Sequence, residues 1–573
     1  MHYGGQVSVR GEALALVVAP GLGLGLASTA GSRSIAARDP WSVVAELEAQ
    51  APRWVWWGAR AYAASLVEAG IRPRACWDLG AVSRLLHGAW REDEGAVWAL
   101  HRGLDVPPEA EGELSLLDLA GESDDAVRAD GQLSREWLRG SWAHDLGAAE
   151  TWARLALDVQ QAQERLVRAL PDRRREPGAS PLPYLTALSE SMASLLAVEL
   201  GYDGLAIDRA VLDELLETTI GPQPTTEAEE VAARRARDEL VWREFPGGDP
   251  VDLRNPANVR DLLARIGIAV PDTRSWRLEP YAESSPAVAA LLRWRKAERI
   301  ATTYGWSWSE RDIGDDDRLR GVWGASEGAG RMTASAGLHN LPAELRVAVR
   351  PPEGRTLVRS DLGQIEPRVL AAVSGDTGLA AAAREDDMYA PVAAALRSDR
   401  PTAKVAVLAA MYGQTSGPAG EALKDMERTY PVALAFLRDA EEHGRRGEDL
   451  RTYGGRLLRL SSLAERLAEA GPESTAAHSY GRFARNAVVQ GAAAELFKAW
   501  AATVRAGLAG STARIVLCLH DELLVECDED DAPRVAAVVD DALQSTAAWW
   551  CAGSGVRLVS DTSVSRSWAD AKA

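Results

Sequence analysis

The chain has only four cysteines in 573 residues (Cys76, Cys518, Cys527 and Cys551), and no two form a Cys-x-x-Cys pair. A zinc site and a disulfide framework are therefore not expected, and a reducing, cytoplasmic setting fits. Lysine is almost as scarce: Lys296, Lys404, Lys424, Lys498 and Lys572 are the full set, so the basic charge is nearly all arginine. A GC-rich coding sequence explains that bias, which makes Lys404 notable as a lysine where arginine is the default. No uncharged apolar run reaches the about 18 residues of a spanning helix. The start, Met1 to Gly5, has no basic segment, and the apolar stretch Ala13 to Ala27 is broken by glycine. Neither secretion nor membrane insertion is expected.

What is present is ordinary soluble material, 46% hydrophobic and 26% charged, enough for two to four domains. A net charge of -19 argues against indiscriminate coating of nucleic acid, but a local basic cleft can sit on an acidic body. Residues 1 to about 150 have an α/β texture: short apolar runs (Ala13 to Pro20, Arg53 to Trp57), glycine turns, and a helical stretch at Ala81 to Leu86. From 150 to 330 the pattern is mostly helical, with Thr151 to Leu170, Ser189 to Leu216 and Thr226 to Phe245 as helices. Arg173, Arg174 and Arg175 read as a solvated linker. From 331 onward strands and helices alternate.

Two carboxylate stretches stand out. Thr356-Leu357-Val358-Arg359-Ser360-Asp361 is a strand pattern ending in an acid, and Pro367 suits the first turn of a helix spanning Glu366 to Val373. Downstream, the apolar runs Arg514 to Leu519 and Leu523 to Cys527 flank His520-Asp521-Glu522, a hairpin with acids at its tip. Acid at a hairpin tip is most often only a turn. Paired with Asp361, however, Asp521 can bridge two Mg²⁺ ions about 3.5–4 Å apart, the arrangement used in phosphoryl transfer. Mg²⁺ needs few protein carboxylates when substrate phosphates supply the rest.

Between them, Asp399 or Ser398 caps a helix that Gly413 ends, with Pro401 in its first turn. Arg400, Lys404, Leu408 and Tyr412 recur every four residues, so they stay on one side over roughly 18 Å. The stripe runs from two cations to an apolar residue and then an aromatic, the polarity of a nucleoside triphosphate from phosphates to base. An amphipathic surface helix with a stray Arg and Lys explains the same pattern equally well.

Taken together, these stretches resemble motifs A, B and C of family A (DNA polymerase I-like) DNA polymerases. Ser360-Asp361-Leu362-Gly363-Gln364-Ile365-Glu366-Pro367-Arg368 looks like motif A, Arg400 to Gly413 like motif B, and Leu519-His520-Asp521-Glu522 like motif C. Gly330-Arg331-Met332-Thr333 with Asn340-Leu341-Pro342 resembles the template-primer segment, and Arg482, Asn486, Gln490 and Gly491 resemble the DNA-contacting helix. The likeness covers about residues 250 to 573.

The resemblance implies an α/β multidomain chain, an exonuclease-like (RNase H-like) domain followed by a right-hand polymerase of palm, fingers and thumb. The implied boundaries are 1–170 for a degenerate 3′–5′ exonuclease-like domain, 171–330 for a mostly helical region containing the thumb, and 331–573 for the palm, with fingers inserted at about 376–480. It further implies a monomer acting on primer-template DNA and dNTPs with two Mg²⁺ ions, held by Asp361, Asp521 and the Leu362 carbonyl. Arg400 and Lys404 would bind the triphosphate. Glu366, with Gln364 and Leu362 beside it, would exclude a 2′-hydroxyl, while Leu408 and Tyr412 would face the sugar and the templating position. Arg331, Asn340, Arg482, Asn486, Gln490 and His520 would hold DNA, and Glu522 would support the metal site.

Four departures bear on these roles. Leu408 replaces the usual Phe or Tyr, Leu362 replaces a tyrosine, Pro367 a leucine and His339 a glutamine. At the front, the family's exonuclease needs an Asp-x-Glu on its first strand, and Leu14 to Leu22 carries no acid. Asp78 and Asp158 stand where later acids would be, but Arg154 replaces an expected tyrosine, and both aspartates read as ordinary surface residues. The expectation is a fold without proofreading, in repair or gap filling, with no room for a separate 5′-nuclease. Alternatives are a non-catalytic DNA-binding scaffold, a polymerase that keeps its exonuclease, or an RNA polymerase of related fold.

Overall fold

The computed structural model describes residues 11–109, 125–247, 250–325, 328–413, 418–471 and 474–571. The chain divides into two compact units. One comprises Met1–Asp203, Val322–Thr333 and Val358–Val564; the other comprises Gly204–Gly321, Ala334–Leu357 and Ser565–Ala573. The Met1 to Gly5 stretch lies outside the described residues.

The first unit opens with a five-stranded sheet in the order β3-β2-β1-β4-β5, where β1 is Ala13–Ala19, β2 Gly23–Ser28, β3 Gly31–Ala36, β4 Arg53–Trp56 and β5 Cys76–Asp78. β1 pairs antiparallel with β2 and parallel with β4. Its apolar run is nearly continuous because both faces are buried. Ala15, Val17 and Ala19 enter one core with Trp57, Trp77 and Trp152. Leu14 and Leu16 enter another with Trp54 and Trp56. Successive strand residues point to opposite faces, so a strand covered on both sides reads as uninterrupted hydrophobic sequence. Helix Leu146–Ala169 crosses this sheet so closely that a Cβ on Gly25 would lie 2.3 Å from the Ala149 backbone. Only glycine permits that approach.

A second sheet of the chain has the order Arg514–Leu519, Glu522–Asp528, Arg355–Leu362, Ser560–Ser565, so the Asp361 strand is flanked on both sides. Helix Thr475–Gly507, of 33 residues, packs against helix Pro431–Arg446 and helix Leu182–Asp203. In the second unit, helices Glu227–Trp242, Pro256–Arg265 and Pro286–Thr303 share a core of Val241, Val259, Leu263 and Leu291. Arg254 is clamped there between Asp238 (2.9 Å) and Glu298 (2.6 Å).

Two sequence expectations are corrected. Ser189 to Leu216 is not one helix: Leu182–Asp203 stops at Gly204, in left-handed backbone at φ +66°, and Arg209–Ile220 restarts behind the cap of Asp208. The arginine run does link helices Leu146–Ala169 and Leu182–Asp203 with Arg173 and Arg175 exposed, but Arg174 is not solvated. Arg174 is buried, pairs with Asp172 at 2.6 Å, and donates to the carbonyls of Trp549 and Ser180. Arg173 and Arg175 donate to the carbonyls of Arg451 and Gly375. Among the described residues, no helix is long and apolar enough to cross a membrane.

Candidate functional site

Strand Arg355–Leu362 carries Asp361 to its end, and the chain then turns through Gln364, which adopts left-handed backbone (φ +55°) before helix Ile365–Ser374. The helix thus begins one residue before the expected Glu366. Gly363 donates to the Val559 carbonyl at 2.9 Å, and a Cβ there would come within 2.8 Å of the Val559 side chain. Beneath the turn, the buried guanidinium of Arg368 donates to the carbonyls of Gly363, Ala383, Arg557, Glu385 and Asp386. One side chain therefore gathers three segments of backbone under the Asp361 strand end.

The hairpin forms, but its tip is only the two residues His520-Asp521, because Glu522 opens the second strand opposite Leu519 and is buried. His520 takes left-handed backbone at φ +54°. A non-glycine residue held there is strained, a feature concentrated at functional sites. The Leu362 amide donates to the Asp521 carbonyl at 2.9 Å, which locks the two acidic strand ends side by side. Burial pushes the Asp521 carboxyl up to about 6, reinforced by the charges of Asp361, Glu522 and Glu366. Burial first, and the neighbouring acids second, make the ionised carboxylate costly here, and a bound divalent cation offsets that cost. No group of three or more His, Cys, Asp and Glu side chains forms a metal cage among the described residues. Two carboxylates and a carbonyl, completed by phosphate oxygens, are a donor set suited to Mg²⁺.

Arg359 went unnoticed in the sequence. It is 1% exposed and lies 2.7 Å from Asp361, 3.1 Å from Glu522 and 3.7 Å from Asp561. A signal was available, since residues 359 and 361 share a strand face by the period of two. Glu522 is buried against this arginine, behind the tip that Asp521 occupies.

The helix of the cation stripe spans Arg400–Tyr412, capped by Asp399, whose side chain accepts from the Thr402 amide at 2.8 Å. Lys404 is exposed, Leu408 half-buried and Tyr412 37% exposed. Arg400 is paired with Asp387 at 2.6 Å, which holds the Asp387 carboxyl below its usual range. Asp387 also accepts from Gln364 at 2.8 Å, so the first turn of the cation helix is tied to the Asp361 turn. Sequence reasoning missed Asp387 as well.

A second cluster forms around Glu366. Its carboxylate pairs with Arg331 and accepts from the Tyr412 hydroxyl at 3.1 Å. Burial and Glu366 raise the Tyr412 phenol, while a hydrogen bond with Gln490 opposes them. Burial and Arg331 push the His520 imidazole down, against the pull of Glu366. Residues from five distant stretches thus meet: Arg331, Glu366, Tyr412, Gln490 and His520. On helix Thr475–Gly507, Arg482 is exposed and Asn486 half-buried. Arg485, also missed, anchors that helix by donating to the Ala410 carbonyl at 2.7 Å and pairing with Glu441 at 2.9 Å. Asn340 belongs to the second unit, on the turn Leu338–Asn340, where its carbonyl accepts from Arg299 at 2.8 Å. Neighbouring His339 accepts from the Ala334 amide through Nδ1.

The two front aspartates differ. Asp158 is exposed on helix Leu146–Ala169, as read. Asp78 is not a surface residue. It is buried at the end of β5, and its carboxylate accepts from the amides of Ala59 and Ala81 and from the Ser194 hydroxyl.

The family model for DNA polymerase family A matches residues 262–570, more than half of the chain. The chain belongs to that family. It is 28% identical over 494 residues to a thermostable DNA polymerase I of Thermus thermophilus, covering 78% of this chain and 54% of that one. It is 24% identical over 370 residues to DNA polymerase theta of Caenorhabditis elegans, covering 58% of this chain and 22% of that one. The chain spans about half the length of the Thermus relative. Its fold is shared with the POL domain of Pol1 from M. smegmatis, solved in complex with DNA primer-template and dNTP. The TM-score is 0.65 at 20% identity, over 99% of this chain and 97% of that one.

Proposed function

We propose that this chain is a template-directed DNA polymerase, adding dNTPs to a primer 3′ end by two-metal-ion nucleotidyl transfer. The observation that carries the reading is the pair of strand ends bearing Asp361 and Asp521, locked side by side and electrostatically poised for cations. Asp361, Asp521 and the Leu362 carbonyl are the ligands for Mg²⁺, which when bound supplies charge stabilisation at the attacking and leaving oxygens. Arg400 and Lys404 neutralise the triphosphate, and the Asp387 pairing holds Arg400 in register with the Asp361 turn. Glu366, fixed by Arg331 and Tyr412, stands against a 2′-hydroxyl. Arg331, Arg482, Asn486, Gln490 and His520 hold the duplex and primer end, and Asn340, on the second unit, is a separate DNA contact. The relatives' names as DNA polymerases, and the solved neighbour's bound primer-template and dNTP, support the same reading.

In this proposal residues 1–170 form an exonuclease-like (RNase H-like) domain without proofreading. β1 bears no acid, Asp78 spends its carboxylate on backbone amides, and Asp158 faces solvent. Residues 171–330 contain the thumb, and 331–573 form the palm with fingers at about 376–480. A monomeric, cytoplasmic role in repair or gap filling fits a polymerase without editing. The test is extension of a labelled primer on templates that differ only in the templating base. Incorporation that follows the template supports the reading, and stable DNA binding without extension on any template replaces it with the scaffold. Shortening of the primer when dNTPs are omitted would overturn the claim of no proofreading.

A further inference from the structure

The proposed nucleotidyl transfer gives no task to Arg359, although its guanidinium lies against the Asp361 carboxylate. Three adjacent strands put it there. Strand Arg355–Leu362 lies between Glu522–Asp528 and Ser560–Ser565 in the sheet. Alternate residues of a strand face opposite sides, so Arg359 and Asp361 share one side. Ser360, on the other, meets Thr562 at 2.8 Å. Glu522 reaches the guanidinium from one flanking strand at 3.1 Å and Asp561 from the other at 3.7 Å. One nitrogen, Nη2, serves two acids at once, donating to Asp361 Oδ2 at 2.7 Å and to Glu522 Oε2 at 3.1 Å.

The guanidinium is too deeply buried to meet a triphosphate or DNA, whereas the Asp361 side chain is 28% exposed. Arg359 therefore acts on the site through Asp361. An arginine side chain keeps its proton in proteins, so this cation is a fixed part of the fold. Asp361 and Glu522 bring two negative charges to the strand ends, and Arg359 cancels one of them. Opposite unit charges 2.7 Å apart attract by about tenfold in an equilibrium even at the dielectric of bulk water, and by more where water is excluded. A divalent ion arriving at Asp361 has to compete with that standing attraction.

We infer that Arg359 is a positioning residue that sets the metal affinity of the site. It pairs with Asp361 and Glu522 in advance, so the nucleotide-free protein holds a divalent cation about tenfold or more weakly than the same acids do without it. The inference rests on the reading of Asp361 and Asp521 as metal ligands. The test is Mn²⁺ binding to the nucleotide-free protein, followed by the electron paramagnetic resonance signal of the unbound ion. Only the Mn²⁺ that Asp521→Asn fails to hold is counted, because a chain of net charge -19 binds cations elsewhere. Arg359→Gln is expected to lower the Mn²⁺ Kd about tenfold or more. Arg359→Lys keeps the charge and leaves the Kd near the wild-type value. Unchanged or weaker binding by Arg359→Gln overturns the inference. So does an equal gain in Arg359→Lys, which would trace the effect to packing. An Arg359→Gln chain that unfolds in chelator and refolds with Mn²⁺ supports it, since the ion then supplies the missing charge; one that stays unfolded in excess Mn²⁺ overturns it. Absence of Asp521-dependent Mn²⁺ binding in both wild type and Arg359→Gln, with primer-template and dNTP added, overturns the metal-site reading itself.

Discussion

Replacing Arg359 with methionine removes the cation from beneath the carboxylates while keeping most of the side-chain volume. The guanidinium is 1% exposed and serves Asp361 at 2.7 Å and Glu522 at 3.1 Å, and the Glu522 side chain is itself only 4% exposed. Breaking a buried ion pair by removing one partner costs about 3–5 kcal/mol, because the remaining charge stays desolvated. For the compact unit that holds Arg359, about 420 residues, an unfolding entropy of about 2.1 cal/mol/K per residue gives about 1 °C per kcal/mol, so the apparent Tm falls by about 3–6 °C. The assay is thermal and urea unfolding of Arg359→Met and wild type in chelator, repeated with Mg²⁺. A cation that binds the folded site alone stabilises it by mass action, so the variant gains more from the metal than wild type does. A variant within about 1 kcal/mol of wild type in chelator, the range of an exposed ion pair, refutes the electrostatic account of this site.

Glu366→Ala removes the carboxylate that Arg331 and Tyr412 fix; selectivity for dNTP over rNTP is expected to fall at least tenfold, about 1.4 kcal/mol, in competitive single-nucleotide incorporation. Unchanged discrimination would show that this side chain does not guard the 2′ position. Glu190→Gln probes the buried Glu190–Arg456–Lys498 network, in which the two cations hold the Glu190 carboxyl down at about 2 despite its burial. A carboxyl depressed in the folded state stabilises above its unfolded value and loses that contribution as pH falls through the folded one. The destabilisation by Glu190→Gln is therefore full above about pH 4.5 and shrinks towards zero near pH 2 in urea titrations. A pH-independent difference would contradict the pairing.

Much of the site was legible because its chemistry is local. Asp361 at a strand end, Asp521 at a two-residue hairpin tip and the Arg400–Tyr412 stripe each sit in a short pattern with one period and clear caps. Arg368 and Asp387 were not legible, because each acts on residues brought in from elsewhere, and of Arg359 only the pairing with Asp361 was within reach of the strand period. Arg359 reads as an ordinary strand arginine until Glu522 and Asp561 arrive. Arg368 reads as a surface helix residue until the carbonyls of Ala383 and Arg557 surround it. In the fold, the break at Gly204 was hidden by apolar periodicity on both sides, and the burial of Arg174 and Asp78 depends on backbone groups that sequence does not display. Polar residues whose partners are distant in sequence, side chains for Arg359 and Asp387 and main-chain groups for Arg368, Arg174 and Asp78, were thus the systematic omission.

The central claim is that Asp521, adjacent to Asp361, makes this a polymerase site. It is tested most directly by primer extension with Mg²⁺ and dNTPs, comparing wild type with Asp521→Asn and measuring primer-template affinity in parallel. Asparagine keeps the size of the side chain and removes the charge. Template-dependent extension by wild type, none by the variant and equal DNA affinity is the result expected. Extension by Asp521→Asn at the wild-type rate, or DNA binding by wild type without extension, would contradict it.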